Sequence, residues 1–192
     1  GRDLAFTPEL EARIQAIDTR WLADKHAKEL AFLVGEVGYL NRFDPSVKRL
    51  FVAFHGGEAV AYILYTASFG EYRGWMHDLT RRLPDAPTGV MELINLTAIE
   101  SFIAERADFL NFGFTPLAGL SPDMEIPGAS SRPAQKIFSF LSRHGQFIYP
   151  ADSQSRYKLK WSPNVVLPEY IAFQGGFSVL GLWEFLKLTR AL

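Results

Sequence analysis

The chain has 192 residues, of which 48% are hydrophobic and 21% are charged, so it can bury a sizeable core and has the composition of an ordinary soluble globular protein. It contains no cysteine, which excludes disulfides, thiolate metal sites and a cysteine nucleophile. The net charge is -1, yet residues 131–161 contain six Lys and Arg against one Asp. Such an asymmetry marks a surface for phosphate groups or anionic lipid, or equally a solvated helix face.

The chain begins with a predicted helix. Thr7 supplies a capping hydroxyl, Pro8 occupies the first helical position and Glu9 places an acid in the first turn. Apolar residues then recur at helical spacing to about His26. Residues 30–39 are apolar but contain two glycines, and we interpret them as a loop or a short strand.

Three strands are predicted next, at residues 50–54, 59–65 and 74–79. A glycine turn joins the first two into a hairpin. In the third strand, regular alternation places His77 and Leu79 on one face and Asp78 on the other.

The remaining sequence alternates between helices and short strands. We predict helices at residues 89–106, 133–144, 153–161 and 179–188, and strands at 109–114 and 165–173. The helix at 89–106 is apolar on nearly every face, which predicts that it is buried. The element order predicts an α/β or α+β fold, with helices packed on a mostly antiparallel sheet.

The segment RRLPDAPTGVMELI, residues 81–94, has the richest arrangement of functional groups. Two arginines end a strand, and two prolines stiffen the loop that leads to a helix N-terminus. Backbone N–H groups at such a terminus suit an anion. Glu92, in the first turn, suits either compensation of the helix dipole or a bound amino group.

Two further segments carry candidate binding groups. Asn111 lies near a strand end and Gly113 allows close approach, although a strand that simply enters a turn has the same pattern. The run RYKLKW at 156–161 interleaves basic and aromatic side chains, which suits contact with phosphates and stacking on bases.

Familiar catalytic signatures are absent from the sequence. It has no nucleophile elbow, Walker loop, H-E-x-x-H or G-x-G-x-x-G motif. The four histidines are scattered, so we predict no metal site. The sequence also lacks the Q/R-x-x-G-x-G/A loop with which acetyl-CoA-dependent enzymes hold pyrophosphate.

The run D-L-x-R-R-x-P-D-A-P-x-G-x-M-E at residues 78–92 resembles the signature of aminoacyl-phosphatidylglycerol synthases of the multiple peptide resistance factor type. The segment L-N-F-G at 110–113 is similar to that family's next strand and loop. The basic run at 156–161, followed by P-E-Y-I-A at 168–172, resembles its C-terminal basic helix and strand. The resemblance extends over roughly residues 20–175.

The resemblance implies an acetyltransferase-like (GNAT) fold, with residues 1–192 as a single domain from the C-terminal part of a larger tandem-domain membrane protein. The implied reaction moves lysine or alanine from aminoacyl-tRNA to the hydroxyl of phosphatidylglycerol, which changes lipid charge and gives resistance to cationic antimicrobial peptides. The implied partners are aminoacyl-tRNA, phosphatidylglycerol, the membrane surface and an N-terminal transmembrane portion of the same polypeptide. We expect no cofactor, and a soluble fragment at the cytoplasmic face of the cell membrane.

Within this reaction, Asp78 or Asp85 is expected to transfer a proton or bind the amine, and Asn111 to orient the carbonyl. Glu92 is expected to hold the aminoacyl ammonium group. The expected substrate-binding residues are Arg81, Arg82, Glu92, Gly113, Arg156, Lys158 and Lys160, with the basic members receiving phosphates of lipid or tRNA.

Three other functions remain open from the sequence. The protein could transfer the amino acid to a peptidoglycan precursor, since the basic helix suits either acceptor. It could be an acetyl-CoA-dependent acetyltransferase, although the pyrophosphate loop is missing. It could also be a non-catalytic module that binds lipid or tRNA.

Overall fold

A four-stranded mixed sheet organises the first of the two units into which the chain divides, Gly1–Gly113. The structure, a computed structural model, describes residues 5–25, 44–144 and 151–188. The strands, in spatial order, are β1 (Lys48–His55), β2 (Glu58–Ser68), β3 (Gly74–Arg82) and β4 (Phe109–Asn111). The first two pairings are antiparallel and β3 pairs with β4 in parallel, which confirms the predicted mostly antiparallel sheet.

Two helices cover opposite faces of this sheet. On one face, α1 (Pro8–Lys25) packs Ile14 and Ile17 against Tyr62, Leu64 and Leu79. On the other face, α2 (Val90–Ala104) packs Ile94, Ala98 and Phe102 against Ile63, Tyr65 and Trp75. Strand β2 is therefore buried on both faces, and all its residues from 59 to 65 lie in the core. A strand covered by helices on both sides reads as a continuous apolar run, as this one does.

The predicted start of α1 is confirmed. The Thr7 hydroxyl accepts a hydrogen bond from the Leu10 N–H at 3.3 Å, as an N-cap residue should. Hydrogen bonds from its own backbone N–H and from Thr7 lower the pKa of Glu9. The prediction for residues 30–39 lies outside the described residues.

A β-bulge interrupts β3 at Asp78. Tyr65 of β2 pairs with His77, whereas the preceding residue Leu64 pairs with Leu79, so Asp78 is the additional residue. An additional residue reverses the alternation of side chains beyond it. The sequence prediction that His77 and Leu79 share a face is therefore wrong: the His77 ring contacts Tyr65 on the α2 side, and Leu79 packs with α1.

The predicted burial of α2 on all sides is also wrong. One stripe of the helix is buried, formed by Val90, Met91, Ile94, Asn95, Ala98 and Phe102. Leu93 and Ile103, on the opposite side, are 61% and 70% exposed. A helix in an outer layer contacts the sheet through a single stripe, whatever residues occupy the rest of its circumference.

The second unit, Phe114–Leu192, is helical. Its helices are α3 (Arg132–His144), α4 (Ala151–Leu159) and α5 (Val179–Leu188), preceded by a short 3-10 turn at Pro122–Met124. The strand predicted at 165–173 is wrong, since these residues form no strand and many of their apolar side chains are exposed. Pro168, in the middle of the run, has no N–H to donate to a sheet.

Strand β4 also ends earlier than predicted, at Asn111 instead of residue 114. Gly113 has a φ of 74°, which takes the chain out of the extended conformation.

Among the described residues, none of the helices combines the length and the apolar character that crossing a bilayer requires.

We predict that Gly74→Ala destabilises the first unit. A Cβ at this position would lie 2.0 Å from the carbonyl oxygen of Phe109, so β3 and β4 could no longer approach each other at their first residue pair. We expect a loss of about 2 kcal/mol in the free energy of unfolding, measured by chemical denaturation.

Gly181→Ala in α5 is the matched control. The added Cβ there would meet Ser178 at 3.4 Å, an ordinary contact, and alanine is the better helix former. Equal denaturation midpoints for Gly74→Ala and the wild type would contradict the proposed close approach.

Candidate functional site

The end of the pairing between β3 and β4 brings several predicted site residues together. The ladder runs over three residue pairs and stops at Met76 and Asn111. Strand β3 continues to Arg82, and its bulge at Asp78 lies two residues beyond the last pair. Carboxyl ends of parallel strands are common ligand sites in α/β folds, and bulges often re-aim side chains there. Asp78 is half-buried at this position.

The chain that leaves β4 forms a tight turn beside the bulge. The Asn111 side-chain oxygen accepts a hydrogen bond from the Gly113 N–H at 2.7 Å. The side-chain amide of Asn111, which is exposed, still offers N–H donors. Phe112, between them, stacks on the His77 ring with centroids 5.6 Å apart. Ring stacking therefore holds the turn next to β3 after the backbone ladder has ended.

A buried polar network connects this region to α2. The Tyr65 hydroxyl donates to the Asn95 side-chain oxygen at 2.7 Å, and the Asn95 amide donates to the Met91 carbonyl at 3.2 Å. Tyr65 also contacts the His77 ring edge-on at 5.4 Å. The sequence analysis missed Asn95, although a lone amide within the apolar run 90–104 was the available signal. The network fixes the first turns of α2, which include Glu92, relative to the bulged strand.

Arg81 lies on the other face of the sheet, in the interface with α1. Its side chain is only 7% exposed, and its Nε is 3.8 Å from an Asp18 carboxylate oxygen. The guanidinium carbon lies 4.0 Å from the ring centroid of Trp21. The Tyr62 hydroxyl donates to the same Asp18 carboxylate. These contacts attach α1 to the sheet, so the geometry gives Arg81 a packing role, and its predicted phosphate contact stays a prediction.

Two further predicted residues, one at the end of β3 and one in the loop that follows, are solvent-accessible. Arg82 is exposed, and Asp85 forms an exposed ion pair with Arg20 at 3.2 Å. Exposed ion pairs contribute about 0–1 kcal/mol, so a charged ligand could replace this one at small cost.

Glu92 is half-buried in the first turn of α2. The helix begins after Gly89, whose φ of 84° is left-handed and which has no side chain to cap the helix. The Glu92 carboxylate therefore adds negative charge beside the positive end of the helix dipole, where it is favourable.

The basic residues of α4 belong to the second unit. The Lys158 ammonium donates to the Phe114 carbonyl at 2.8 Å, and burial lowers the pKa of this lysine. The Lys160 ammonium lies 4.3 Å from the centroid of the Tyr157 ring. Arg156 is exposed in the last turn of the helix, where a cation interacts favourably with the helix dipole, and Lys160 is exposed just after the helix ends.

The structure thus places the predicted residues in distinct groups. Asp78, Asn111 and Gly113 lie at or near the end of the β3–β4 ladder, and Glu92 lies in α2, which the Tyr65–Asn95 hydrogen bond joins to β2. Arg82, the last residue of β3, and Asp85, in the loop that follows, are exposed, whereas Arg81 is in the α1 interface. Arg156 and Lys158 lie in α4, and Lys160 follows its last residue. Within residues 5–25, 44–144 and 151–188, no group of three or more acidic or histidine side chains could hold a metal ion.

Comparison with known proteins identifies the family of the chain. The family described as phosphatidylglycerol lysyltransferase, C-terminal, matches residues 2–173. The chain belongs to this family. Of the curated proteins, none matches it.

Two solved structures have the same fold as this lysyltransferase-family chain. One is the C-terminal domain of an Agrobacterium fabrum protein described as a lysylphosphatidylglycerol synthetase, with 21% identity and a TM-score of 0.56, covering 82% of this chain and 43% of that one. The other is L-PGS from Bacillus licheniformis, with 18% identity and a TM-score of 0.64, covering 98% and 53%. The chain therefore spans about half the length of these structures.

We predict that Arg81 and Arg82 differ in their contribution to stability. Arg81→Gln removes the stacking on Trp21 and leaves the partly buried Asp18 carboxylate without its nearby cation charge, so unfolding should become easier by about 2–3 kcal/mol. Arg82→Gln changes an exposed side chain and should alter the free energy by less than about 0.5 kcal/mol. Equal midpoints for the two variants in urea denaturation would refute the packing role of Arg81.

We also predict a pH dependence from Lys158. Because burial lowers its pKa in the folded chain, the unfolded chain binds more protons between that pKa and the ordinary lysine value. Below the pKa that Lys158 has in the folded chain, the lysine is charged, and the full cost of burying that charge lowers the free energy of unfolding. As pH increases through this pKa, the lysine loses its proton and the free energy of unfolding rises. Lys158→Met should flatten this rise in denaturation curves recorded across the alkaline range, and an unchanged slope would count against burial as its origin.

Proposed function

We propose that the protein transfers an amino acid from aminoacyl-tRNA to the hydroxyl of phosphatidylglycerol. The observation that carries the proposal is the bulge at Asp78, beside the turn of Asn111 and Gly113, in a chain of the phosphatidylglycerol lysyltransferase family. A carboxylate and an amide near the end of a parallel ladder are the groups that transfer of an acyl ester to a hydroxyl requires.

The reaction exchanges one ester for another. The lipid hydroxyl oxygen forms a bond to the aminoacyl carbonyl carbon, and the bond from that carbon to the ribose oxygen breaks. The hydroxyl proton passes to the departing ribose oxygen, so neither ATP nor a redox partner is needed. In this scheme Asp78 accepts and returns the proton, with Asp85 as the second candidate, and the Asn111 amide donates to the developing oxyanion.

Glu92 is the proposed anchor for the ammonium group of the amino acid. Its half-buried position in the first turn of α2 strengthens its attraction for a cation compared with a fully exposed carboxylate. The Tyr65–Asn95 hydrogen bond holds this turn in place relative to β3. The acidic set of Asp78, Asp85 and Glu92 favours lysine, with its second ammonium, over alanine.

Phosphate binding is proposed for two sets of basic side chains. Arg82 and Gly113 in the first unit contact the substrate near the reacting groups, with Arg81 supporting the loop through its packing on α1. In the second unit, Arg156, Lys158 and Lys160 receive tRNA phosphates. The rings of Tyr157 in α4 and of Trp161 just beyond it, with centroids 6.5 Å apart, suit stacking with unpaired bases at the acceptor end.

The acceptor is a lipid, so we propose that the protein works at the cytoplasmic face of the cell membrane, together with an N-terminal transmembrane portion of the same polypeptide. Residues 1–192 then act as the C-terminal acetyltransferase-like domain. Esterification with lysine adds positive charge to an anionic lipid and thereby weakens the attraction of cationic peptides to the membrane.

Aminoacyl transfer in vitro tests this proposal. The purified protein is incubated with lysyl-tRNA or alanyl-tRNA and with phosphatidylglycerol, and lipid products are identified by mass spectrometry. We expect Asp78→Asn to lower kcat by about 100-fold or more, because proton transfer is lost. Glu92→Gln should mainly raise KM for lysyl-tRNA. Asp123→Asn, an exposed acid in the second unit, is the control and should leave both constants unchanged.

The same assay separates the alternatives. If the amino acid is transferred to a peptidoglycan precursor and not to the lipid, the proposed acceptor is wrong. Micromolar binding of acetyl-CoA in calorimetry would favour an acetyltransferase. If the protein binds lipid or tRNA but transfers no amino acid, and if the Asp78 and Glu92 variants only weaken that binding, the protein is a binding module.

A further inference from the structure

Helix α3 presents a basic surface that the proposed chemistry does not use. Its sequence, RPAQKIFSFLSRH, contains three Arg or Lys residues and one His but no acid. The side chains of Arg132, Lys136, Phe140, Arg143 and His144 are all exposed. They recur at intervals of three or four residues along the helix, so they lie on one side. We call these five residues the α3 basic face.

The opposite side of α3 is held within the second unit. Ala134 is buried, and Ile137, Phe138 and Leu141 are half-buried. The Ser142 hydroxyl donates to the Leu117 carbonyl at 2.8 Å. These contacts fix the rotation of the helix about its axis, so the α3 basic face is a defined surface of the fold.

Phe140 lies at the centre of this face. Its side chain is 62% exposed, although burying a phenylalanine stabilises a protein by about 1.5–3 kcal/mol. Lys136 precedes it by one turn, and Arg143 and His144 follow it by one turn, with the His144 ring 4.8 Å from the Phe140 ring. A shallow groove along this side is lined by Gln135, Lys136, Ser139, Phe140, Arg143 and His144.

An exposed aromatic ring surrounded by cations matches the surface of an anionic bilayer. The cations meet lipid phosphates, and the ring enters the boundary between headgroups and acyl chains. Each basic side chain near such a surface strengthens binding about fivefold, and the ring adds a contribution that salt does not screen. The absence of acids from α3 means that no charge on this helix opposes the contact.

We propose that the α3 basic face docks the protein on a phosphatidylglycerol-containing bilayer surface. This inference rests on the proposed function, in which phosphatidylglycerol is the acceptor. Docking would hold the protein at the surface where its acceptor is concentrated, and would thereby raise the local acceptor concentration without contributing to the chemical step.

RNA phosphates are the competing partner for a basic surface. The arrangement on α3 favours the bilayer, because a single ring stands at the centre of the cations. In the run at 156–161, by contrast, two rings alternate with the cations along the sequence, as stacking on successive bases requires. The experiment must therefore distinguish binding of RNA to the α3 basic face from binding of the bilayer.

Co-sedimentation with vesicles tests the docking. The protein is mixed with vesicles of phosphatidylcholine alone or with 30% phosphatidylglycerol, a composition chosen at roughly the anionic content that supports electrostatic binding. We expect binding only to the anionic vesicles, and weaker binding at high salt. Lys136→Gln/Arg143→Gln should reduce the partition coefficient by roughly 25-fold, and Phe140→Ala by about tenfold.

Matched controls remove the same groups elsewhere. Arg73→Gln/Arg106→Gln lowers the net charge equally at exposed positions of the first unit, and Phe69→Ala removes a ring that is 75% exposed. Both should bind anionic vesicles as the wild type does. If the control variants and the α3 variants lose vesicle binding equally, the effect is due to net charge or general hydrophobicity, and the proposal is overturned.

Two further measurements distinguish this inference from its alternatives. If the α3 variants lose affinity for tRNA but keep affinity for vesicles, the α3 basic face binds RNA and the proposal fails. In aminoacyl transfer, the α3 variants should lose activity on vesicles yet retain it within about twofold on detergent-dispersed phosphatidylglycerol, where a bilayer surface is absent. Lack of transfer to either form by the wild type would refute the proposed function, while vesicle binding would still decide the role of α3.

Discussion

The bulge at Asp78 is the constraint on which the arrangement of the first unit depends. One additional residue in β3 turns His77 toward α2 and Leu79 and Arg81 toward α1. Without it, regular alternation would place all three on the same face, so that either Arg81 would enter the α2 core or His77 would face α1. The bulge also lies immediately beyond the last β3–β4 pair. It therefore combines a packing function with the presentation of a carboxylate within β3, beyond the end of the β3–β4 ladder.

Polar groups on both faces of β2 fix the helices that cover it. Tyr62 donates to Asp18 of α1, and Tyr65 donates to Asn95 of α2. Apolar packing alone tolerates sliding and rotation of a helix, whereas a buried hydrogen bond is satisfied in one position only and is costly to break. These hydrogen bonds therefore fix the position of each helix on β2. The first turn of α2 consequently has a defined place relative to the bulge.

The proposed function involves two anionic partners, the lipid and tRNA, and one cationic group, the aminoacyl ammonium. The acidic side chains proposed for proton transfer and for holding the ammonium are in the first unit, and the cations of α3 and α4 are in the second. The cations of α3 surround an exposed phenylalanine ring, and those of the run at 156–161 alternate with two rings. The family relationship gives both surfaces a context, because its described substrate is an anionic lipid.

The sequence by itself determined the elements and the family. Caps and apolar spacing predicted α1 and α3 to within about one residue, and the glycine turn predicted the hairpin, because these signals act over a few neighbouring positions. The hairpin strands extend up to three residues beyond their predicted bounds. The run at 78–92 predicted a family that the full comparison confirms. Only the tertiary structure decided the bulge, the one-sided burial of α2, the lack of a strand at 165–173 and the packing of Arg81 on Trp21. Each of these depends on which distant residue lies opposite in space, and periodicity along the chain does not contain that information.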